Sequence, residues 1–312
     1  MNTESKNNIP VVLLFGPTAV GKTECIFELH KHLPIEVLNA DSMQIYKGMD
    51  IGTAKPTLDE QKKVPHHLID LKLPNEQYTV GEFVRLCDEE IPRIRERGNL
   101  PVVAGGTAFY IYHFLYGLPN TPPRDLEMRK QIYNELEEKG PEKLFNELCS
   151  RDPSAADSIA VSDTYRLTRA LEVIRKTGKA LSSFGPEKDP RQQYRFLIIG
   201  LYRERRLLYE RINRRVELMF ETGLISEIKN LLSTGYTFTD AGMRAIGYRE
   251  FFTMLLGCFS FQYIKKLIQR NSRRFAKRQI TFFKRIPDIH WQNPEDSQLI
   301  IDLFYRHFSV TK

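Results

Sequence analysis

A glycine-rich turn near the N-terminus of this 312-residue chain constrains its fold more than any other feature. Residues 11–15 form an apolar run, which is followed by GPTAVGKT and then by a stretch with helical periodicity. The turn satisfies the pattern G-x-x-x-x-G-K-[ST]. In such a strand–turn–helix unit, backbone N–H groups and the positive end of the helix converge on an anion. The sequence therefore predicts a phosphate-binding loop.

The predicted loop consists of Gly16, Pro17, Thr18, Ala19, Val20, Gly21, Lys22 and Thr23. Lys22 adds a positive charge to the backbone amides. The hydroxyl of Thr23 is the candidate ligand for Mg²⁺, the one cofactor that the sequence predicts. The pattern alone does not identify the molecule that carries the phosphate. An ATPase, a kinase and a prenyl-diphosphate transferase all remain open at this point.

Short apolar segments predict the strands of the fold. They occur at residues 11–15, 35–40, 67–70, 101–106 and 195–202. The first four alternate with helical segments, which predicts a parallel sheet. The expected fold class is α/β, with a P-loop NTPase-like core.

The pattern changes in the middle of the chain, where only helical periodicity occurs. We therefore predict three parts. Residues 1–118 form the first part of the core, and residues 119–194 form an all-helical insertion domain. Residues 195–312 return to the sheet and complete the core with a helical C-terminal region, which has an end structure of unspecified type at PDIHW.

Positive charge is concentrated in the C-terminal third of the chain. The net charge is +7, and residues 273–285 carry six basic side chains and no acidic one. A second basic cluster, YRERRLLYERINRR, spans residues 202–215. A lone cluster can equally be a solvated helix face, but two clusters together favour a polyanionic partner such as RNA or DNA.

Composition also bears on where the chain works. The four cysteines are widely spaced and form no C-x-x-C pair. We therefore expect reduced thiols in a cytoplasmic protein rather than disulfides or a zinc site. No run of eighteen apolar residues occurs, and the polar N-terminal segment lacks the apolar stretch of a secretory signal. We therefore expect no membrane association.

Polar side chains follow two of the predicted strands. Asp41 comes directly after IEVLNA, and Thr107 follows the fourth predicted strand in AGGTAFY. Because the carboxyl ends of parallel strands line the ligand crevice of an open α/β sheet, both residues should face the phosphate loop. Asp41 could then act as a general base or as a partner of Mg²⁺. The structural alternative is that it caps a helix or turn through Ser42.

A series of motifs runs through the chain in a characteristic order: GPTAVGKT, DSMQIYKGMDIGTAKP, HHLID, AGGTAFY, RLTRALEV, RAIGYRE and FAKRQIT. This series resembles the tRNA dimethylallyltransferase family, also called the tRNA isopentenyltransferases. The match covers about residues 11 to 291. The second motif is long and idiosyncratic, and it is far more specific than the phosphate loop.

The resemblance implies a reaction and its partners. Members of this family transfer a dimethylallyl group from dimethylallyl diphosphate to the exocyclic N6 of the adenosine just 3′ of the anticodon in tRNA. Their phosphate loop holds the diphosphate leaving group rather than ATP. A member would bind dimethylallyl diphosphate and a tRNA anticodon stem-loop, and it would be expected to act as a monomer.

Site residues carry over where this sequence matches the family's motifs. The implied catalytic residues are Asp41 as the base, Arg215 and Thr18. The implied tRNA-binding residues are Asp41, Ser42, Met43, Gln44, Thr107, Arg129, Arg166, Arg169, Arg244 and Arg249. Without the resemblance, Arg215 would be interpreted as a surface charge, and residues 166–169 as an ordinary amphipathic helix.

The chain departs from the family's usual motifs in a few places. Ala108 and Phe109 stand where Gly-Leu is usual, and Phe275 and Phe282 replace Tyr and Trp. None of these positions lies in the phosphate loop or at Asp41. The departures therefore concern substrate preference rather than reaction class.

Two further features have mainly structural interpretations. His66 and His67 are adjacent on a predicted strand, so that their side chains point to opposite faces, and we expect no metal site there. We interpret Phe282 and Phe283 as packing residues rather than a platform for stacked bases.

Competing hypotheses remain beside the prenyltransferase. A free-adenylate isopentenyltransferase would need no RNA, against which the helical insertion and the basic C-terminal helices argue. A small-molecule P-loop kinase with a helical lid would show a similar loop and a similar Asp41. A catalytically idle RNA-binding protein would bind RNA equally well without Asp41.

Overall fold

The computed structural model describes residues 8–185, 189–255, 257 and 260–308. The chain divides into two compact units. The core unit combines Met1–Leu115 with Arg191–Lys312, and the helical unit comprises Tyr116–Pro190. Cys258 and the N-terminal segment at residues 1–7, on which two of the sequence expectations depend, lie outside the described residues.

A six-stranded sheet forms the centre of the core unit. Its strands are β1 (Ile9–Phe15), β2 (Ile35–Asn39), β3 (His66–His67), β4 (Leu100–Gly105), β5 (Tyr194–Leu201) and β6 (His290–Gln292). Their order is β3-β2-β4-β1-β5-β6, and every pair is parallel. The predicted α/β fold class is thus confirmed. The central strand β1 is buried because its apolar residues are covered on both faces, as parallel sheets require.

The α-helices of the core unit follow the chain between and after these strands. They are α1 (Lys22–His30), α2 (Leu58–Lys63), α3 (Val80–Glu96), α4 (Ala108–Tyr116, whose last residue belongs to the helical unit), α9 (Arg205–Glu221), α10 (Leu224–Ser233), α11 (Phe252–Leu255), α12 (Phe261–Phe283) and α13 (Ser297–Phe308). Short 3₁₀ helices span Gly242–Arg244 and Arg249–Phe251. Among the described residues, no helix is both long enough and apolar enough to cross a membrane.

The helical unit contains α5 (Leu126–Lys139), α6 (Pro141–Arg151), α7 (Pro153–Ala156) and α8 (Thr164–Thr177), followed by a 3₁₀ turn at Leu181–Phe184. Its helices pack around a separate apolar cluster that includes Ile132, Leu148 and Leu171. Helix α8 starts where the Asp163 carboxylate accepts from the Arg166 amide, and it ends at Gly178 in the left-handed region.

Two parts of the sheet depart clearly from the prediction. The segment at residues 67–70 was expected to be a strand, but β3 contains only two residues. Leu68 and Asp70 have φ values of 63° and 55°, which a strand cannot accommodate. At the C-terminal side, β6 is a short edge strand beside β5, where the sequence indicated only an end structure.

Helix α12 is anchored to the sheet by an aromatic stack. The Phe283 ring lies parallel to the Phe15 ring of β1, with their centroids 4.5 Å apart, and Trp291 of β6 meets Phe15 edge-on. Phe283 therefore packs, as expected. The basic segment at residues 273–285 consequently has one face fixed against the core.

Candidate active site

The phosphate loop connects β1 to α1, as the sequence predicts. Its backbone turns sharply, with Ala19 at φ 61° and Gly21 at φ 116°. A side chain on Gly16 could not fit, since its Cβ would lie 2.7 Å from the carbonyl oxygen of Leu201. Tight packing against β5 therefore fixes the start of the loop.

Lys22 lies over its own loop. Its Nζ donates to the carbonyl oxygens of Gly16 and Pro17, at 3.0 Å each. Burial, and after it the charge of the neighbouring Arg215, lower the pKa of Lys22 to about 8, while Asp41 acts in the opposite direction. The ammonium is thus held at the loop in a place that strongly favours a bound anion.

Three arginines surround the same loop. Arg203 Nε donates to the Val20 oxygen at 3.1 Å, and Arg211 Nε donates to the Ala19 oxygen at 2.9 Å. Arg215 lies one turn after Arg211 on α9 and donates from Nη1 to the Thr18 hydroxyl at 3.2 Å. Four cationic side chains, counting Lys22, therefore meet at one loop. Arg203 and Arg211 are also paired with Glu295 and Glu24, so the charge available to a polyanion such as a diphosphate comes mainly from Lys22 and Arg215.

Arg215 also connects the loop to another part of the chain. Its Nη2 donates to the Thr53 carbonyl at 3.1 Å, within the turns that follow β2. Burial lowers the pKa of Arg215, and the nearby Asp41 counteracts that effect. Arg215 is therefore a recessed residue of the site, not the surface charge that its helix alone would suggest.

Asp41 is located directly after β2, next to these cations. Its Oδ1 accepts from the Met43 amide at 2.9 Å, which forms a tight Asx turn. Its Oδ2 accepts no hydrogen bond from any residue that the structure describes. Asp41 influences the pKa of both Lys22 and Arg215. One carboxylate oxygen thus shapes the turn, and the other remains available for chemistry.

The ends of β2 and β4 are locked together beside Asp41. The Ser42 amide donates to the Thr107 hydroxyl at 2.9 Å, and the Thr107 amide donates to the Ala40 oxygen at 3.1 Å. The backbones approach so closely that a Cβ on Gly105 would lie 2.2 Å from the same Ala40 oxygen. Thr107 is therefore brought beside Ser42, as the predicted strand ends require.

The segment from Asp41 to Pro56 consists of turns, which are held by side chains. Gln44 Nε2 donates to the carbonyls of Thr53 and Ala54, at 3.2 and 3.1 Å. The Glu227 carboxylate of α10 accepts from the three successive amides of residues 50–52, at 2.7 to 3.0 Å. It also accepts from the Tyr248 hydroxyl at 2.6 Å. This segment is thus fixed although it contains neither helix nor strand.

One buried residue of the site was not predicted. Gln279 of α12 is 4% exposed, and its Oε1 accepts from the Thr18 amide at 2.9 Å. Its Nε2 donates to the Gly106 oxygen at 2.7 Å. Because Gln279 lies within the basic segment at residues 273–285, the sequence did not single it out as a site residue. The available signal was its position in the apolar stripe of that helix, between Ala276 and Phe283.

The arginines expected to bind tRNA occupy different environments. In the core unit, Arg244 and Arg249 are exposed at the two ends of RAIGYRE. In the helical unit, Arg166 is exposed and pairs with Asp163, three residues before it on the chain. These three positions are open to a partner.

Arg129 and Arg169 are instead drawn into the helical unit. Both lie beside the fully buried Glu172, with Arg169 Nη1 at 3.0 Å and Arg129 Nε at 3.6 Å from its carboxylate. The Arg129 guanidinium also lies 5.4 Å from the centre of the Tyr165 ring. Their charges are therefore partly committed to the unit's interior.

A basic groove of about 480 Å³ follows the outer side of α12. It is lined by Arg274, Lys277, Arg278, Thr281, Phe282 and Arg285. Phe282 is half-buried and meets Tyr112 edge-on, with the ring centroids 5.8 Å apart. The groove is lined by basic side chains of residues 273–285, the segment for which the sequence predicts a polyanionic partner.

The two adjacent histidines have protein partners. His66 Nδ1 lies 2.6 Å from the Val64 oxygen, and His67 Nε2 lies 2.6 Å from Glu36 Oε2. Within the described residues, no group of three or more histidine, cysteine or acidic side chains could hold a metal.

The site nevertheless suits Mg²⁺ bound together with a phosphate ligand. Thr23 lies in the first turn of α1, and Asp41 follows β2, which β4 separates from β1 in the sheet. Mg²⁺ usually binds through one or two protein oxygens, with water and substrate phosphates completing its coordination. The donors present therefore fit the ion without a dedicated acidic cluster.

Comparison with known proteins identifies the family. The model of the IPP transferase family matches residues 44–286. The chain belongs to this family. It is 43% identical to the tRNA dimethylallyltransferase of Alkaliphilus oremlandii over 91% of each chain. It is 41% identical to that of Thermotoga neapolitana, covering 96% of this chain and 99% of the relative. The resemblance inferred from the motifs is thereby confirmed.

Solved structures of IPP transferases agree with this assignment. The tRNA isopentenylpyrophosphate transferase of Bacillus halodurans is 37% identical, with a TM-score of 0.70 over 96% of this chain and 98% of the other. A eukaryotic dimethylallyltransferase acting on tRNA is 29% identical, with a TM-score of 0.77 over 92% and 74%. The chain is therefore an enzyme of the transferase class, and the hypothesis of a small-molecule P-loop kinase is not favoured.

Proposed function

We propose that this enzyme transfers a dimethylallyl group from dimethylallyl diphosphate to N6 of the adenosine 3′ of the anticodon in tRNA, with release of diphosphate. The observation that carries the proposal is the position of Asp41. Its carboxylate lies close enough to influence both Lys22 and Arg215, the cations of the phosphate loop. A proton acceptor and an anion-binding site therefore adjoin, as attack on a prenyl diphosphate requires.

The phosphate loop binds the leaving group in this proposal. When the C–O bond to diphosphate breaks, negative charge grows on the departing oxygens. Lys22 and Arg215 stabilise that charge, because recessed cations act more strongly than exposed ones. Thr18, whose hydroxyl is bonded to Arg215, orients the guanidinium toward the loop. When bound, Mg²⁺ would be held by Thr23 and would supply further neutralisation of the diphosphate charge.

Asp41 serves the acceptor. The adenine N6 is a weak nucleophile, and it acquires positive charge as its bond to the prenyl carbon forms. The free oxygen of Asp41 accepts the proton that N6 then loses, which is general-base catalysis worth about 10²- to 10⁴-fold. The bond from Oδ1 to the Met43 amide keeps the carboxylate oriented.

The acceptor base must leave its stack to reach Asp41. The proposed contacts of the adenosine are Ser42, Met43 and Gln44, which follow Asp41 in the chain, and Thr107, whose hydroxyl accepts from the Ser42 amide. The exposed Arg166, Arg244 and Arg249 are the proposed phosphate contacts, and the helical unit as a whole is the proposed tRNA-contact domain. Arg129 and Arg169 would contribute from their places beside Glu172.

The decisive experiment combines the purified enzyme with Mg²⁺, dimethylallyl diphosphate and an anticodon stem-loop that carries adenosine 3′ of the anticodon. The mass of the RNA is followed, and the reaction is repeated with AMP as the acceptor and with ATP in place of the prenyl donor. We expect the stem-loop alone to gain one C₅H₈ unit. Prenylated AMP would instead indicate a free-nucleotide enzyme, and ATP consumption without prenyl transfer would indicate a kinase.

We also propose that the enzyme works as a monomer in the cytoplasm. The described cysteines Cys25, Cys87 and Cys149 are free, which suits a reducing compartment. Light scattering of the purified chain, alone and with the stem-loop, would measure its oligomeric state. A mass of twice 36.4 kDa for the free protein would contradict the monomer.

A further inference from the structure

Helix α12 presents two chemically different faces. Its outer side carries the basic residues of the groove, while Ala276, Gln279 and Phe283 are buried against the core. These three positions follow the helical spacing of an apolar stripe. A glutamine in such a stripe is costly unless both its donor and its acceptor find partners. The position of Gln279 therefore calls for a specific explanation.

Both partners of Gln279 belong to the catalytic surroundings. The Oε1 atom accepts from the Thr18 amide in the phosphate loop, and the Nε2 atom donates to the Gly106 carbonyl after β4. The two partners lie 261 and 173 residues away along the chain. One buried amide thus connects α12, the phosphate loop and the turn that carries Thr107.

The contacts of Thr18 show what this connection does. Its amide is directed to Gln279, and its hydroxyl accepts from Arg215. Thr18 is therefore held at both ends, and its N–H is committed to the side chain of α12. The rotamer of its hydroxyl, and through it the direction of the Arg215 guanidinium, depends on where the Thr18 backbone is fixed.

Gly106 shows how little space the arrangement leaves. A Cβ at this position would lie 2.6 Å from Gln279 Nε2 and 3.8 Å from Lys22 Nζ. The turn after β4 therefore passes directly beside both the glutamine amide and the loop lysine. Only glycine allows this approach without displacing Gln279.

We infer that Gln279 is a positioning residue for the transfer reaction: its amide fixes Thr18 relative to the turn that bears Thr107. It thereby sets the spacing between the leaving-group side and the acceptor side of the site. The inference rests on the proposed function. Gln279 itself contacts neither substrate in this scheme and acts through Thr18 and Gly106.

The first test replaces the amide without emptying its space. Gln279→Met keeps the length of the side chain and removes both hydrogen bonds. We expect kcat to fall by about 10- to 100-fold, since small misplacements of reacting groups have effects of this size. The dissociation constant for the stem-loop should change by less than about threefold, because phosphate contacts dominate RNA affinity. Gln269→Met, on the same helix with only a 3.4 Å bond to the Asn213 oxygen, is the matched control and should behave like wild type.

A second variant separates positioning from packing. In Gln279→Glu the carboxylate accepts from Thr18 but cannot donate to Gly106 until it is protonated. We therefore expect its activity relative to wild type to rise as the pH falls, whereas a residue that only fills space gives a constant ratio. A ratio independent of pH, or a folded Gln279→Met enzyme with wild-type kcat and KM, overturns the inference.

A binding measurement keeps this inference distinct from the proposed function. Calorimetry with inorganic diphosphate requires no prenyl transfer. We expect Gln279→Met to bind diphosphate about tenfold more weakly than wild type, because a loss of this size corresponds to roughly one well-placed hydrogen bond. Equal affinities overturn the inference whether or not wild type is active, while an inactive wild type with unequal affinities removes only the proposed reaction.

Discussion

At the scale of single residues, the site depends on one carboxylate placed beside two cations. Asp41 uses one oxygen to hold its own turn and leaves the other available. Lys22 and Arg215 are recessed, so their charges are poorly screened by solvent. The two halves of the proposed reaction therefore rest on neighbouring side chains that can be changed one at a time.

Replacing Asp41 should separate chemistry from binding. We expect Asp41→Ala to lower kcat by about 10²- to 10⁴-fold, the range for loss of a general base. The dissociation constant for the anticodon stem-loop should remain nearly unchanged in a filter-binding titration. Asp59→Ala, which removes an exposed carboxylate paired with Lys62, serves as the control. An equal loss of RNA binding would assign Asp41 to recognition instead.

The protonation of Lys22 should appear in the pH profile of the donor. The pKa of Lys22 is lowered by burial to about 8, so its positive charge is present below that pH and is lost above it. We expect kcat/KM for dimethylallyl diphosphate to fall above pH 8 by up to about tenfold per pH unit. In Lys22→Met, the lower remaining activity should lack this decline. The same decline in the variant would show that another group titrates.

At the scale of elements, Glu36 holds one side of the sheet together. Its carboxylate on β2 accepts from both Arg97 Nε and Nη2 at the end of α3 and from Asn99 just before β4, at 2.7 to 2.8 Å. His67 of β3 lies 2.6 Å from the same carboxylate. The Arg97 guanidinium, followed by Asn99 and His67, lowers the pKa of Glu36 to about 2, against the effect of burial.

This pKa gives a signed prediction for acid stability. Since the folded pKa lies below the usual value of 4.5, the unfolded chain takes up the proton first as the pH falls. Stability from Glu36 is therefore complete above pH 4.5 and is lost between about pH 4.5 and 2. Urea unfolding of Glu36→Gln should show a lower free energy at pH 7, by about 1–3 kcal/mol, and a weaker loss toward acid. Glu89→Gln, which breaks an exposed pair with Arg85, should leave both unchanged.

The sequence specifies those elements whose local pattern agrees with their environment. The phosphate loop was located correctly because a buried strand, a glycine turn and a helix follow one another. The strand at residues 67–70 was predicted too long. Its apolar residues, Leu68 included, are typical of a buried strand, but the positive φ angle of Leu68 is incompatible with one. A two-residue strand carries too little pattern for its ends to be predicted.

The candidate site was predicted where it lies at strand ends and missed where it depends on long-range contacts. Asp41 and Thr107 follow from the geometry of a parallel sheet. Gln279 meets its partners across more than 170 residues, and its place in the apolar stripe of α12 indicates burial but not which groups it contacts. The burial of Arg169 depends likewise on Glu172, whose fully buried place becomes visible only when the helices are packed.

At the scale of the whole molecule, the net charge is +7, and its basic residues are clustered in a way that suits a polyanionic partner. The groove along α12 is lined by four basic side chains, namely Arg274, Lys277, Arg278 and Arg285. Such surfaces bind nucleic acid chiefly by releasing counterions. Their contribution is therefore measured best as a dependence on salt.

We expect Arg278→Ala to weaken stem-loop binding and to reduce the slope of log K against log salt by about 0.7 to 0.9, which corresponds to one phosphate contact. The measurement is a series of binding titrations between low and moderate salt. Arg85→Ala, on α3 and paired with Glu89, is the matched control with an unchanged slope. If the slope for Arg278→Ala equals that of wild type, α12 does not lie on the RNA backbone.

The carboxylate of Glu227 has a consequence for how an RNA loop is selected. By gathering three successive amides it removes the conformational entropy of the turns after β2 during folding, before any partner arrives. Binding then requires ordering of the RNA rather than of the protein. In the proposed scheme, an RNA loop whose adenosine is already unstacked binds to turns that are already ordered, whereas a loop that keeps the adenosine stacked loses affinity by its own unstacking energy. Discrimination among RNAs would thus be set by the flexibility of the substrate.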